Sequence, residues 1–229
     1  MKCVILAGGK GTRISELSKD IPKPMIKVLG KPIIFRLIMH YCKFGIKEFI
    51  IAAGYKKKVL ETFFKNKKSK KFKIKVIDTG LKTMTGGRIK RLKKYLGNKP
   101  FLLTYGDGLS NINIKKLINF HKKNKKIATL TAVRPPARFG AIKIKGNKIR
   151  YFKEKSKLDE GWINGGFFVF ENKIFDYLKS DQTYLEREPL QKISKKGELY
   201  AYKHNGFWQC MDTLRDKEIL EKKLQKNAL

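Results

Sequence analysis

The sequence predicts an α/β fold: a doubly wound, mostly parallel sheet with helices on both faces, followed by a smaller β-rich C-terminal part. Three observations predict it. Apolar strand-like runs alternate with amphipathic helical patterns through the first half, the βαβα rhythm of a parallel sheet. In the second half, strand-like runs joined by tight turns such as Gly146-Asn147 replace that alternation. Glycine-bearing segments (Gly8-Gly9, Thr79-Gly80, Gly106-Asp107-Gly108) fall at strand ends, and open α/β sheets hold ligands outside the carboxyl ends of their strands.

The elements follow in order. Residues 3–7 form an apolar strand running directly into Gly8. Pro22, Pro24 and Pro32 exclude one long helix over 15–31 and leave a polar loop with Lys23 fixed between two prolines. Over 32–44, Ile33, Ile34, Leu37, Ile38 and Tyr41 recur at helical spacing. Strands at 48–53, 72–78 and 101–105 then alternate with helices at 57–64, 87–96 and 114–123. Strands follow at 129–133, 140–144, 148–154 and 162–170, then short helices near Asp176 and Glu188 and a strand at 198–203. Leu214, Ile219, Leu220 and Leu224 give the apolar stripe of a closing helix over 213–225.

At 229 residues, the chain is expected to be one domain with halves 1–125 and 126–229, large enough to bury a sizeable core. The 15 Phe and 9 Tyr suit a folded protein. Apolar runs fall short of a membrane span and the start lacks a secretory h-region, so no membrane association is expected. Cys3, Cys42 and Cys210 are odd in number and match no metal-ligand spacing, which points to a reduced, cytoplasmic compartment. The net charge of +35 invites a nucleic-acid reading, but only 9 of the 54 basic residues are Arg, the residue that reads phosphate and guanine bidentately. With no nucleic-acid motif visible, a lysine-biased surface is favoured and no nucleic-acid partner is expected.

Three segments carry chemistry. Gly8-Gly9-Lys10-Gly11-Thr12-Arg13 at a strand end offers backbone N–H groups and a guanidinium to phosphate, although a plain tight turn would read the same way. It is neither a Walker A loop nor a dinucleotide fingerprint, whose third Gly is missing. Asp107, after the apolar strand 101–105, suits Mg²⁺, which uses one or two carboxylates plus substrate phosphates; a turn-forming Asp in Gly-Asp-Gly is the plainer alternative. Asp212 precedes a helix and would equally serve as its N-cap. Whether the two acids meet is open at this level.

These residues resemble the sugar-1-phosphate nucleotidyltransferase family, closest to its cytidylyl branch. The resemblance runs nearly end to end, through Leu6 to Arg13, Lys23-Pro24-Met25, Met84-Thr85-Gly86-Gly87-Arg88, Thr104 to Gly108, Arg138 to Ala141, Phe152 to Lys155, Ile163 to Phe168 and Phe207 to Asp216. It implies a Rossmann-like, nucleotide-diphospho-sugar transferase fold, with residues 1–125 mainly binding nucleotide and 126–229 mainly sugar phosphate. The implied reaction moves a nucleotidyl group from an NTP (CTP foremost) to a sugar 1-phosphate (glucose 1-phosphate foremost), giving CDP-glucose and pyrophosphate. Arg13, Lys23 and Asp107 would be catalytic. The nucleotide would lie against Leu6, Ala7, Gly8, Gly9, Gly11, Thr12, Arg13, Lys23, Thr85, Gly86, Arg88, Gly106 and Asp107. The sugar phosphate would meet Gly140, Glu154, Lys155, Asn164 and Gly165, with Mg²⁺ on Asp107 and Asp212. Assembly into a homo-oligomer is compatible with this picture and not dictated by it. Three departures stand out: a short 64–78 region, and Ser156 and Cys210 where the family carries proline. Looser loops are expected beside the last two.

Overall fold

Strand β1 (Lys2–Ala7) lies at the centre because its side chains are apolar toward both faces. Cys3, Ile5 and Ala7 enter one core cluster, while Val4 and Leu6 enter the other. A strand buried on both faces must be flanked by strands and covered by helices. On one side β2 (Glu48–Ala53) and β3 (Lys73–Asp78) add in parallel; on the other lies β4 (Phe101–Tyr105), also parallel to β1. Lys73 and Lys75 keep the β3 edge charged, which discourages further pairing. The structure, a computed structural model, describes residues 1–67, 71–135, 141–153 and 161–226.

The second half takes two forms. β5 (Ala128–Val133), β6 (Ile163–Phe170) and β7 (Leu199–His204) extend the main sheet, giving the seven-stranded order β7-β5-β6-β4-β1-β2-β3. Within it β6 alone runs antiparallel to its neighbours, inserted between β4 and β5. The unbroken run Phe167-Phe168-Val169-Phe170, buried on both faces, explains that interior position. The hairpin Ala141–Lys145/Lys148–Lys153 stands apart as its own two-stranded sheet.

Among the described residues, the helices longer than one turn that cover the sheet are α1 (Ile33–Lys43), α2 (Lys57–Lys65), α3 (Thr85–Arg91), α4 (Ile114–Asn124), α5 (Glu188–Lys195) and α6 (Leu214–Gln225). Buried residues of α1, α2, α4 and α6 belong to one core cluster and those of α3 and α5 to the other, so helices lie on both faces. The predicted 87–96 helix is divided, α3 ending at Arg91 before a separate turn at Lys93–Leu96. The expected polar loop over 15–31 holds more structure than its prolines suggest. It contains a helical turn at Ser15–Ser18, a 3-10 turn at Lys23–Met25, and the strand pair Lys27–Val28/Lys31–Pro32. Pro24 sits inside the 3-10 turn, where its fixed φ is an asset. Among the described residues, no helix is long and apolar enough to cross a membrane.

Candidate active site

The carboxyl ends of β1 and β4 open into a cavity of about 700 Å³ lined by Leu6, Ala7, Gly8, Gly9, Gly11, Thr12, Arg13, Lys23, Thr85, Arg88, Gly106, Asp107, Asn164 and Asp212. Thus most of the residues singled out from sequence, scattered over more than 200 positions, share one pocket. Two other hollows, about 730 and 770 Å³, are as large. Neither gathers the glycine loop and the paired acids, so chemistry rather than size selects the site.

The two acids meet through a short ladder that no pattern in the sequence announced. Trp208–Cys210 pairs antiparallel with Gly108–Ser110, placing Cys210 opposite Gly108. The Met211 N–H donates to the Asp107 carbonyl at 2.9 Å, and Met211 itself is fully buried. Asp212 is thereby held beside Asp107. It does not cap α6: Thr213 does, in a capping box with Asp216, so the Asp212 carboxylate stays available to the pocket.

Lys23 occupies the space between the acids. Its Nζ donates to Asp107 Oδ2 and to Asp212 Oδ1, each at 2.5 Å. The residue is 8% exposed, which rules out the solvated surface lysine that the sequence allowed. Burial by itself would lower its pKa, but the charges and hydrogen bonds of Asp107 and Asp212 more than offset this, and the net shift is upward. The ammonium therefore stays charged at any physiological pH. Arg13 Nη1 donates to Asp212 Oδ2 at 2.8 Å, but its side chain is 73% exposed, so this pair holds the guanidinium only loosely.

Arg88, expected against the nucleotide, lines the cavity and is also a buried tie between strand ends. Its Nη2 donates to the Gly8 carbonyl at 3.0 Å, and its Nη1 to Thr79 Oγ1 at 2.7 Å, the Gly80 carbonyl at 2.8 Å and the Ala53 carbonyl at 3.3 Å. One guanidinium thus joins the ends of β1, β2 and β3. This explains Gly8: a Cβ there would lie 2.0 Å from Arg88 Nη1. Gly106 answers a similar demand, since a Cβ would meet the Leu6 carbonyl at 2.7 Å and Pro24 at 2.8 Å. In both cases glycine permits close packing around the loop.

Two expected contact residues sit just behind the pocket wall. The Gly86 N–H is taken by the Thr183 carbonyl at 2.9 Å, and the Gly165 carbonyl accepts from Trp208 Nε1 at 2.7 Å. Gly140, Glu154 and Lys155 lie outside the described residues, as does Ser156. The looser loop expected at Cys210 is not found: the residue belongs to the ladder described above, and its thiol lies 3.9 Å from Asp212 Oδ2. Burial first, then the charges of Asp212, Asp107 and Asp216, push that thiol's pKa up to about 11, so it stays neutral.

Sequence reasoning did not single out Tyr105, Tyr184, Glu186 or Trp208, which also line the cavity. Tyr105 Oη donates to Glu186 Oε1 at 2.6 Å and accepts from Asn164 Nδ2 at 3.3 Å. Thr85 Oγ1 donates to Glu186 Oε2 at 2.6 Å. Tyr105, just before Gly-Asp-Gly, could have been found from its place at the end of β4. Nothing around Glu186 marks it.

A Rossmann-like sheet with a glycine loop, a buried lysine and two carboxylates at its strand ends defines a nucleotide-phosphate-handling protein, and the Nucleotidyl transferase family model matches residues 2–216, so the chain belongs to that family. It is 45% identical to the glucose-1-phosphate cytidylyltransferase of Salmonella typhimurium, across 96% of this chain and 95% of that protein. The probable glucose-1-phosphate cytidylyltransferase of Bacillus subtilis is 42% identical over 96% and 94% of the two chains. The Salmonella alignment spans 243 positions, more than the length of this chain, so that relative carries segments absent here. Among solved structures, HddC from Yersinia pseudotuberculosis with GMP-PN superposes with a TM-score of 0.76 at 25% identity, covering 97% of this chain and 99% of that one.

Proposed function

We propose that this chain transfers the cytidylyl group of CTP to glucose 1-phosphate, giving CDP-glucose and pyrophosphate. The observation that carries the chemistry is Lys23 held between Asp107 and Asp212 at the mouth of the glycine loop. The choice of base and sugar rests on the near full-length likeness to glucose-1-phosphate cytidylyltransferases. We read residues 1–125 as the mainly nucleotide-binding half and 126–229 as the mainly sugar-phosphate-binding half of a single domain.

In the reaction, an oxygen of the sugar phosphate forms a bond to the α-phosphorus of CTP. The bond from that phosphorus to the bridging oxygen breaks, and its electron pair leaves with pyrophosphate. The nucleophile is already an anion, so no general base is needed. The obstacle is repulsion between two polyanions, and the remedy is fixed positive charge with in-line placement. Lys23 supplies a buried point charge for the attacking and α-phosphate oxygens. Arg13, exposed and only loosely paired, is free to turn its planar donors to the phosphates. The 8–13 loop contributes backbone N–H groups, held in place by Arg88 through Gly8.

Asp107 and Asp212 would hold Mg²⁺. Two acceptor-only carboxylates aimed at one cationic centre fit a hard ion that takes oxygen ligands and completes its shell from phosphates and water. When bound, the ion would neutralise charge on the phosphate oxygens.

The test is a pyrophosphate-release screen of CTP, UTP, GTP and ATP against a panel of sugar 1-phosphates with magnesium present. CTP with glucose 1-phosphate should give the highest kcat/KM. Release of no pyrophosphate from any pair, or a clear preference for another base, would refute the reading.

A further inference from the structure

Glu186 presents a carboxylate to a cavity otherwise furnished for anions. The acids Asp107 and Asp212 are each engaged by Lys23, and Asp212 also by Arg13, whereas among the described residues no cation pairs with Glu186. Its partners are two hydroxyls whose own hydrogens are committed to it. Tyr105 Oη accepts from Asn164 Nδ2 and donates to Oε1; Thr85 Oγ1 accepts from the Leu185 N–H at 2.9 Å and donates to Oε2. The direction of the network is therefore fixed, and the carboxylate is its sink. An ionised carboxylate accepts at about four lone-pair sites, two of which are used here. What it has left to offer the pocket is acceptor capacity without a counter-cation, the complement of a neutral group rich in O–H donors and the opposite of what a phosphate needs.

Position separates the sugar from the base. The glycine loop leaves the sheet from β1, on one side of β4. Asn164 is on β6, on the other side of β4, and the Glu186–Tyr105–Asn164 chain bridges that second side. Glu186 also lines a smaller adjoining hollow with Leu130 and Leu199, on β5 and β7. We propose that Glu186, held between Tyr105 and Thr85, is a specificity-determining acceptor for hydroxyl groups of the sugar 1-phosphate. The assignment rests on the sugar-phosphate reading given above. Tyr105 and Thr85 are positioning residues for it, and the network ties the sugar side of the pocket to α3.

The test uses the full chain and the variants Glu186→Gln and Tyr105→Phe, with glucose 1-phosphate and its 2-, 3-, 4- and 6-deoxy analogues as probes. Glu186→Gln should raise KM for glucose 1-phosphate about tenfold or more, the scale of a charge-assisted hydrogen bond to a hydroxyl, while KM for CTP stays within about twofold. For at least one deoxy analogue, the wild type and Glu186→Gln should differ by less than about twofold, because the hydroxyl being read is absent. Tyr105→Phe should give a smaller rise of the same kind, with melting temperature little changed. If KM for CTP rises instead, the carboxylate faces the base and the proposal falls. It also falls if the parent sugar and every deoxy analogue lose equally, the mark of a structural role. Should the wild type use a different sugar 1-phosphate, the functional reading fails at that step, and the same comparison with deoxy forms of the accepted sugar still decides the role of Glu186.

Discussion

Replacing Lys23 with Met isolates the charge on which the site is built, because the unbranched apolar stem is kept and only the ammonium is lost. Each acid oxygen lies 2.5 Å from Nζ, so the two are at most about 5 Å apart, twice that distance. With an effective dielectric of about 20, two bare carboxylates at that separation repel by about 3 kcal/mol. Removing one partner from a buried charge cluster typically costs about 3–5 kcal/mol. The Asp107 and Asp212 side chains are 27% and 19% exposed, so water relieves part of the strain and the lower end applies. A loss of about 3 kcal/mol corresponds to a fall of about 6–12 °C in Tm for a chain of this size. Magnesium makes the experiment diagnostic. At about ten times its dissociation constant, an ion bound only by the folded state restores about 1.4 kcal/mol. Lys23→Met should regain stability with added MgCl₂ in the absence of nucleotide, and the wild type should respond less because Lys23 already neutralises the acids. Thermal melts with and without magnesium would show this, alongside a drop of about 10²–10³ in kcat in a pyrophosphate-release assay. Unchanged melting in the variant together with indifference to magnesium would refute the reasoning.

Other consequences follow from the same geometry. Asp107→Asn and Asp212→Asn should each abolish turnover with the circular dichroism spectrum unchanged; near-full magnesium-dependent activity in either would remove it from the site. Gly8→Ala places a methyl on Arg88 Nη1, part of a guanidinium that four hydrogen bonds prevent from moving aside, so stability should fall by about 1–3 kcal/mol in urea titrations and KM for the NTP should rise. Acid should destabilise the fold through His40. Burial, with Lys43 and His204 nearby and the Ile112 carbonyl opposing, lowers its pKa to about 4. The unfolded ring titrates near 6.5, so between pH 6.5 and 4 the unfolded state binds more protons and stability falls as pH drops, by up to about 3 kcal/mol in all. Burial lowers the pKa of His121 and His204 in the same sense, so His40→Asn should flatten the urea-midpoint profile over that window only in part.

The elements that were legible from sequence are those whose signal is local. β1, β2 and β4 read as strands because unbroken apolar runs end in glycine or polar residues, and α1 because Ile33, Ile34, Leu37, Ile38 and Tyr41 share one face. The glycine loop, Lys23 and Asp107 could be named because each adjoins a strand end or a proline. The second role of Arg88 was not legible. The resemblance set it against the nucleotide, and only its burial among four backbone and side-chain acceptors shows that it also braces the glycine loop. Glu186 was invisible because its meaning lies in Tyr105 and Thr85, 81 and 101 residues away in the chain.

The sequence by itself determined the α/β architecture, the strand that ends in the glycine loop and the identities of the charged groups, since hydrophobic period and backbone permissiveness act over a few neighbouring residues. Tertiary structure alone decided that Asp107 and Asp212 meet on Lys23, through a three-residue ladder between segments about 100 positions apart. It also decided that β6 enters the sheet interior reversed. Such outcomes depend on which surfaces are buried together, and burial is settled only when the whole chain has packed.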